Sequence, residues 1–131
     1  MIVGILKEIK SQENRVCMTP AGVEVMKQNG HSVLVETNAG VGSGFSDDDY
    51  RAAGATIATA PADVYAKSDM VMHVKEPQPS EYGMVKPGQI VFTYFHFAAD
   101  EKLTREFMKT GAVSIAYETV TGPNGVGLPL L

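Results

Sequence analysis

The chain has 131 residues, 44% of them hydrophobic and 20% charged, which supports one domain with a real core and excludes a disordered polypeptide. A net charge of −4 without a basic patch argues against a nucleic-acid partner. No apolar run approaches the roughly 18 residues of a membrane helix, and the single cysteine, Cys17, excludes an internal disulfide and makes the cytoplasm the default compartment.

In chain order, Ile2–Leu6 has the apolar run of a buried strand, too short and without the basic lead-in of a signal peptide. Lys7–Arg15 is polar and reads as the loop at that strand's carboxyl end. Thr19-Pro20 opens a helix, with the threonine as cap, proline in the first position, and Val23 and Met26 on its apolar face. Gly30 suits its left-handed stop, and Ser32–Glu36 is the next strand. This β–α–β unit implies a right-handed crossover and parallel pairing.

Asn38–Phe45 is a glycine-rich loop, followed by Ser46 capping a short acidic helix over Asp47–Ala53. Ala55–Ala58 is a brief strand, Pro61–Lys67 a helix, and Met70–Val74 a strand ending at Lys75-Glu76-Pro77. Glu76–Gly88 is rich in proline and glycine and reads as loop, with a turn of helix near Glu81. Gln89–Phe95 is a strand, Asp100–Lys109 a helix stopped by Gly111, and Ala112–Tyr117 a last strand before the turn Pro123-Asn124-Gly125. The alternation points to an α/β domain spanning 1–131: a Rossmann-like (flavodoxin-like) three-layer fold with a mostly parallel sheet flanked by helices. Gly127–Leu131 is apolar where termini are commonly polar, and reads as the edge of a longer polypeptide.

Three residues stand out chemically. If Met70–Val74 and Gln89–Phe95 are neighbouring parallel strands, Lys75 and His96 emerge at one carboxyl edge, where open α/β sheets bind ligands. A lysine can polarise a carbonyl, and a histidine can move a proton near neutral pH. The competing readings are a solvated loop lysine and a core histidine held by one hydrogen bond. Arg15 offers a planar fork that matches a carboxylate, against the alternative of a surface ion pair with Glu13 or Glu8. His31 is expected to be exposed and His73 structural, and the histidines and Cys17 lack metal-ligand spacing. Gly40-Val41-Gly42-Ser43-Gly44-Phe45 lies between strand and helix, but Phe45 stands where a dinucleotide fingerprint needs its third glycine. Asp47-Asp48-Asp49 would repel a pyrophosphate there, so the loop reads as a flexible turn and not as a nucleotide site.

Taken together, Lys7-Glu8, Glu13-Asn14-Arg15-Val16 with Thr19-Pro20, Gly30-His31, Ala39-Gly40, Val74-Lys75-Glu76-Pro77, Phe92-Thr93-Tyr94-Phe95-His96 and Ala116-Tyr117-Glu118-Thr119-Val120 resemble the amino-terminal domain of the alanine dehydrogenase family. The related alpha subunit of the proton-translocating transhydrogenase shares the Arg15 and Thr19-Pro20 region, but is expected to lack the Lys75–Pro77 and His96 pattern. The resemblance implies oxidative deamination of L-alanine to pyruvate and ammonium with NAD. Arg15 would bind the substrate carboxylate, Lys75 the carbonyl oxygen, and His96 would be the general acid/base. It also implies that NAD is held in a second domain and that no cofactor or metal binds this chain. A homo-oligomer without membrane or nucleic-acid partners is expected. A standalone module binding a keto or amino acid, or a partner subunit, is the reading from another class.

Overall fold

The computed structural model describes residues 1–131. Six strands, β1 (Ile2–Ile5), β2 (Ser32–Glu36), β3 (Thr56–Ala58), β4 (Met70–Lys75), β5 (Ile90–Tyr94) and β6 (Val113–Ala116), form one sheet in the order β3-β2-β1-β4-β5-β6. Every pairing is parallel. Of the two common doubly wound orders, this is the dinucleotide-fold order and not the flavodoxin one.

Four helices, α1 (Pro20–Gln28), α2 (Asp47–Ala52), α3 (Pro61–Lys67) and α4 (Glu101–Met108), cover the two faces. Their starts follow from local chemistry. Thr19 Oγ1 accepts from the Gly22 N–H, Ser46 and Asp49 form a reciprocal capping box, and Asp100 caps α4 through the Leu103 N–H. Alternation along the strands sends residues to two cores. Val3, Ile5, Val33 and Val35 pack with Val23 of α1 and Tyr50 of α2. Leu34, Val71, Val91 and Phe95 pack with Val64 and Tyr65 of α3 and with Leu103 and Phe107 of α4.

Helix α3 and its C-cap pack tightly on the sheet at Gly4. A Cβ there would lie 2.4 Å from Ser68 Oγ and 2.6 Å from Val64 Cγ1. Gly4→Ala therefore forces α3 off the sheet, at a cost of about 1–3 kcal/mol. Thermal unfolding monitored by circular dichroism should show the corresponding fall in Tm.

Two expectations are corrected. His31 is half-buried, and its Nδ1 lies 3.4 Å from the N-terminal nitrogen of Met1. The glycine-rich loop is no loose turn: Val41–Ser43 forms a tight 3-10 turn packed on the β1–α1 loop. A Cβ on Gly42 would sit 2.6 Å from Asn14 O, the same oxygen that accepts from Ser43 Oγ at 3.1 Å.

Candidate functional site

The strand order places the topological switch between β1 and β4, since β1 continues to β2 on one side while β4 leads to β5 on the other. Three chain segments leave the carboxyl edge around this point: the β1–α1 loop with Arg15, the end of β4 with Lys75, and the end of β5 with His96. Such a switch is where open α/β sheets hold ligands.

The sheet brings Lys75 and His96 together. Lys75 is paired in register with Tyr94, two residues before His96, and both line one cavity of about 350 Å³ with Lys10, Glu76, Asp100 and Leu103. The imidazole is not a core group, as the His96 side chain is 46% exposed. Its backbone is left-handed, with φ 57° and ψ 32°, a conformation that costs a non-glycine residue about 1–2 kcal/mol. The His96 N–H is held there by Glu118 Oε1 at 2.6 Å.

His96 Nδ1 faces Glu76 Oε2 at 3.4 Å. That oxygen is buried and makes no hydrogen bond. The second oxygen of Glu76 is bonded to the Lys10 ammonium. Burial pushes the Glu76 carboxyl up, but Lys10, the backbone and the His96 side chain more than offset this and hold it below its ordinary range. An ionised Glu76 orients the ring through Nδ1 and leaves Nε2 for a ligand. The arrangement is a carboxylate-steered imidazole, suited to moving a proton.

Arg15 leaves the same edge but lines neighbouring clefts rather than the Lys75–His96 cavity. Glu13 grips it from the side: Nε donates to Oε1 at 2.8 Å and Nη2 to Oε2 at 2.6 Å. The Nη1–Nη2 edge of the fork is left for a second carboxylate. The Arg15 guanidinium hydrogen bond holds the Glu13 carboxyl far down, at about 2 against an ordinary 4.5; burial opposes this, and the Arg15 N–H and the Arg15 and Lys75 charges add to it. A carboxyl lowered by folding contributes stability above its ordinary pKa and loses it as pH falls through the folded value. The Arg15 amide, bonded to Glu13 Oε1 at 3.0 Å, should therefore hold its NMR shift down to about pH 4.5 and titrate with a midpoint near 2.

The other candidates settle into structural roles. His73 is buried, 3.1 Å from the Tyr65 hydroxyl and 3.4 Å from Glu8. The Cys17 thiol donates to Met72 C=O at 3.3 Å. The glycine-rich loop does not fit a pyrophosphate. Asn14 fills the space above Gly42 and the Tyr50 ring that above Gly40, while α2 opens with three aspartates. The β1–α1 loop, where a dinucleotide fold carries its glycines, has none between Leu6 and Pro20.

The family model for the alanine dehydrogenase/PNT N-terminal domain matches residues 4–131. The chain belongs to that family. It is 50% identical over 131 residues to alanine dehydrogenase of Bacillus subtilis (strain 168), covering all of this chain and 34% of that protein. A solved L-alanine dehydrogenase superposes with a TM-score of 0.93 at 46% identity, over 98% of this chain and 35% of that one. A transhydrogenase from Sinorhizobium meliloti superposes with a TM-score of 0.87 at 28% identity, over 95% of this chain and 37% of that one. The family domain thus spans about a third of the relatives it matches. Sequence reasoning picked out Arg15, Lys75 and His96 but passed over Glu76 and Lys10, which orient the histidine. The one signal for Glu76 was its place in Lys75-Glu76-Pro77.

Proposed function

We propose that the chain is the substrate-side domain of an NAD-dependent L-alanine dehydrogenase, converting L-alanine, NAD and water to pyruvate, ammonium and NADH. The observation that carries this reading is the shared cavity of Lys75 and His96 beyond two adjacent parallel strands, in a member of this family. Arg15 takes the substrate carboxylate on its open edge. Lys75 donates to the carbonyl oxygen and stabilises charge there. His96, steered by Glu76, moves the proton as the carbinolamine forms and collapses to the imine. NAD, the hydride acceptor of this reaction, is held outside these 131 residues, so the isolated chain turns over no NADH. The working enzyme is a cytoplasmic homo-oligomer; the exposed apolar side chains of Val126 and Leu131, 74% and 75% accessible, favour association.

The test joins this chain, in place of the matching first third, to the remainder of the Bacillus subtilis alanine dehydrogenase. The joined enzyme should oxidise NADH only when both pyruvate and ammonium are present. A joined enzyme that folds and binds NADH yet shows no such turnover would overturn the reading. It would favour a module that binds a small acid without catalysis.

A further inference from the structure

Lys75 reaches the site through an irregularity in β4. The register runs Met70↔Ile90, Val71↔Val91, Met72↔Phe92, and then jumps to Lys75↔Tyr94. Three steps on β4 oppose two on β5, which is a β-bulge at His73–Val74. Without it, Lys75 would come into register with Phe95, which is fully buried. A bulge re-aims a side chain but leaves backbone donors without ladder partners. Pairing of β4 with β1 ends at Ile5↔Met72, so β1 supplies none either.

The missing partner comes from the chain just beyond β1. Glu8 Oε1 accepts the Val74 N–H at 2.7 Å, and Oε2 accepts the Lys75 N–H at 3.2 Å. Its side chain is 4% exposed. The carboxylate is braced by His73 Nδ1 at 3.4 Å, whose Nε2 meets the Tyr65 hydroxyl at 3.1 Å. At the other end of the same residue, Thr93 Oγ1 donates to Lys75 C=O at 2.8 Å. The backbone of Lys75 is pinned at its N–H and at its carbonyl, by two side chains that do not line the Lys75–His96 cavity.

We infer that Glu8 is a positioning residue for Lys75: its carboxylate closes the β-bulge at His73–Val74 and so fixes where the lysine enters the cavity. The inference deepens the dehydrogenase reading and rests on it for the role of Lys75, while the clamp itself is independent of catalysis. Geometry at this level is worth a great deal, since a displacement of about 1 Å in a catalytic group can cost on the order of a hundredfold in rate.

The test has two arms. In the 131-residue chain, Glu8→Gln replaces one acceptor oxygen with a donor, so the Val74 and Lys75 amide protons should move upfield and exchange faster. Amides of β2 and β3 should stay in place. Unchanged Val74 and Lys75 amides in the folded variant overturn the clamp. In the joined enzyme, Glu8→Gln should lower kcat about ten- to a hundredfold, and the loss should vanish in a Lys75→Met background, because a mis-aimed lysine matters only while the lysine is there. Equal losses in both backgrounds mean a general structural role and overturn the positioning claim. If Lys75→Met itself leaves kcat intact, the dehydrogenase reading fails while the amide shifts still report on the clamp. Thr93→Val, nearly isosteric, removes the opposing peg. It should lower kcat in the same direction and with the same dependence on Lys75, which keeps the claim open to refutation if Glu8→Gln does not fold.

Discussion

Replacing His96 with asparagine in the joined enzyme should leave a folded, substrate-binding protein whose kcat has dropped by about 10²–10⁴. Asparagine is the informative choice because of the backbone. His96 sits at φ 57°, and asparagine is among the few residues that occupy the left-handed region readily. The Glu118 bond to the main-chain N–H survives the change. What disappears is a ring nitrogen able to take and return a proton. His96→Ala loses the proton carrier and also strains the turn, so its Tm should fall below that of His96→Asn at similar kcat. A kcat for His96→Asn within a few-fold of the parent enzyme would remove the histidine from the chemistry.

How far the sequence carries toward this site depends on the range of the interaction. Alternating strands and helices were legible because their causes are local. Thr19-Pro20, the Ser46–Asp49 box and Asp100 each act within a few residues of the helix they start. The adjacency of β4 and β5, and with it the meeting of Lys75 and His96, entered only as a condition, because consecutive strands need not pair, as β3 and β4 do not. Strand order was not legible, since it depends on which sheet face each helix covers. The face of His73 was also hidden, because the bulge after Met72 breaks the period of two on which such readings rest. The Glu8 clamp spans 66 residues and the Glu76–His96 contact rests on a left-handed backbone at His96. Neither leaves a trace in local composition.

The electrostatics of the edge follow one logic. Each candidate cation or proton carrier is backed by a carboxylate that holds it from behind: Glu13 behind Arg15, Glu76 behind His96, and Glu8 behind the peptide of Lys75. Ligand-facing groups are thereby kept in one orientation without lying in the ligand's own space. The arrangement has a cost. If the cation is removed, its carboxylate stays behind as an uncompensated charge.

That cost decides the second large effect, at Arg15. A charge-assisted hydrogen bond contributes about 1.5–3 kcal/mol, which is roughly ten- to a hundredfold in binding. Arg15→Ala in the joined enzyme should therefore raise the pyruvate KM by at least that factor. kcat should change less, because the proposed function assigns Lys75 and His96 to the other end of the substrate. The carboxylate of Glu13, held at about pKa 2 by Arg15, relaxes toward its ordinary 4.5 in the variant and so remains ionised at neutral pH. There it should repel the substrate carboxylate that the proposed function assigns to Arg15. The double variant Glu13→Gln/Arg15→Ala should accordingly bind pyruvate better than Arg15→Ala alone, although both lack the guanidinium. Arg15→Lys should fall between these and the parent, since lysine keeps the charge but cannot hold Glu13 and a substrate carboxylate on two edges of one plane. A KM that is unchanged in Arg15→Ala would move the carboxylate site elsewhere on this edge. A double variant no better than Arg15→Ala would show that Glu13 acts on the loop alone and not on the substrate.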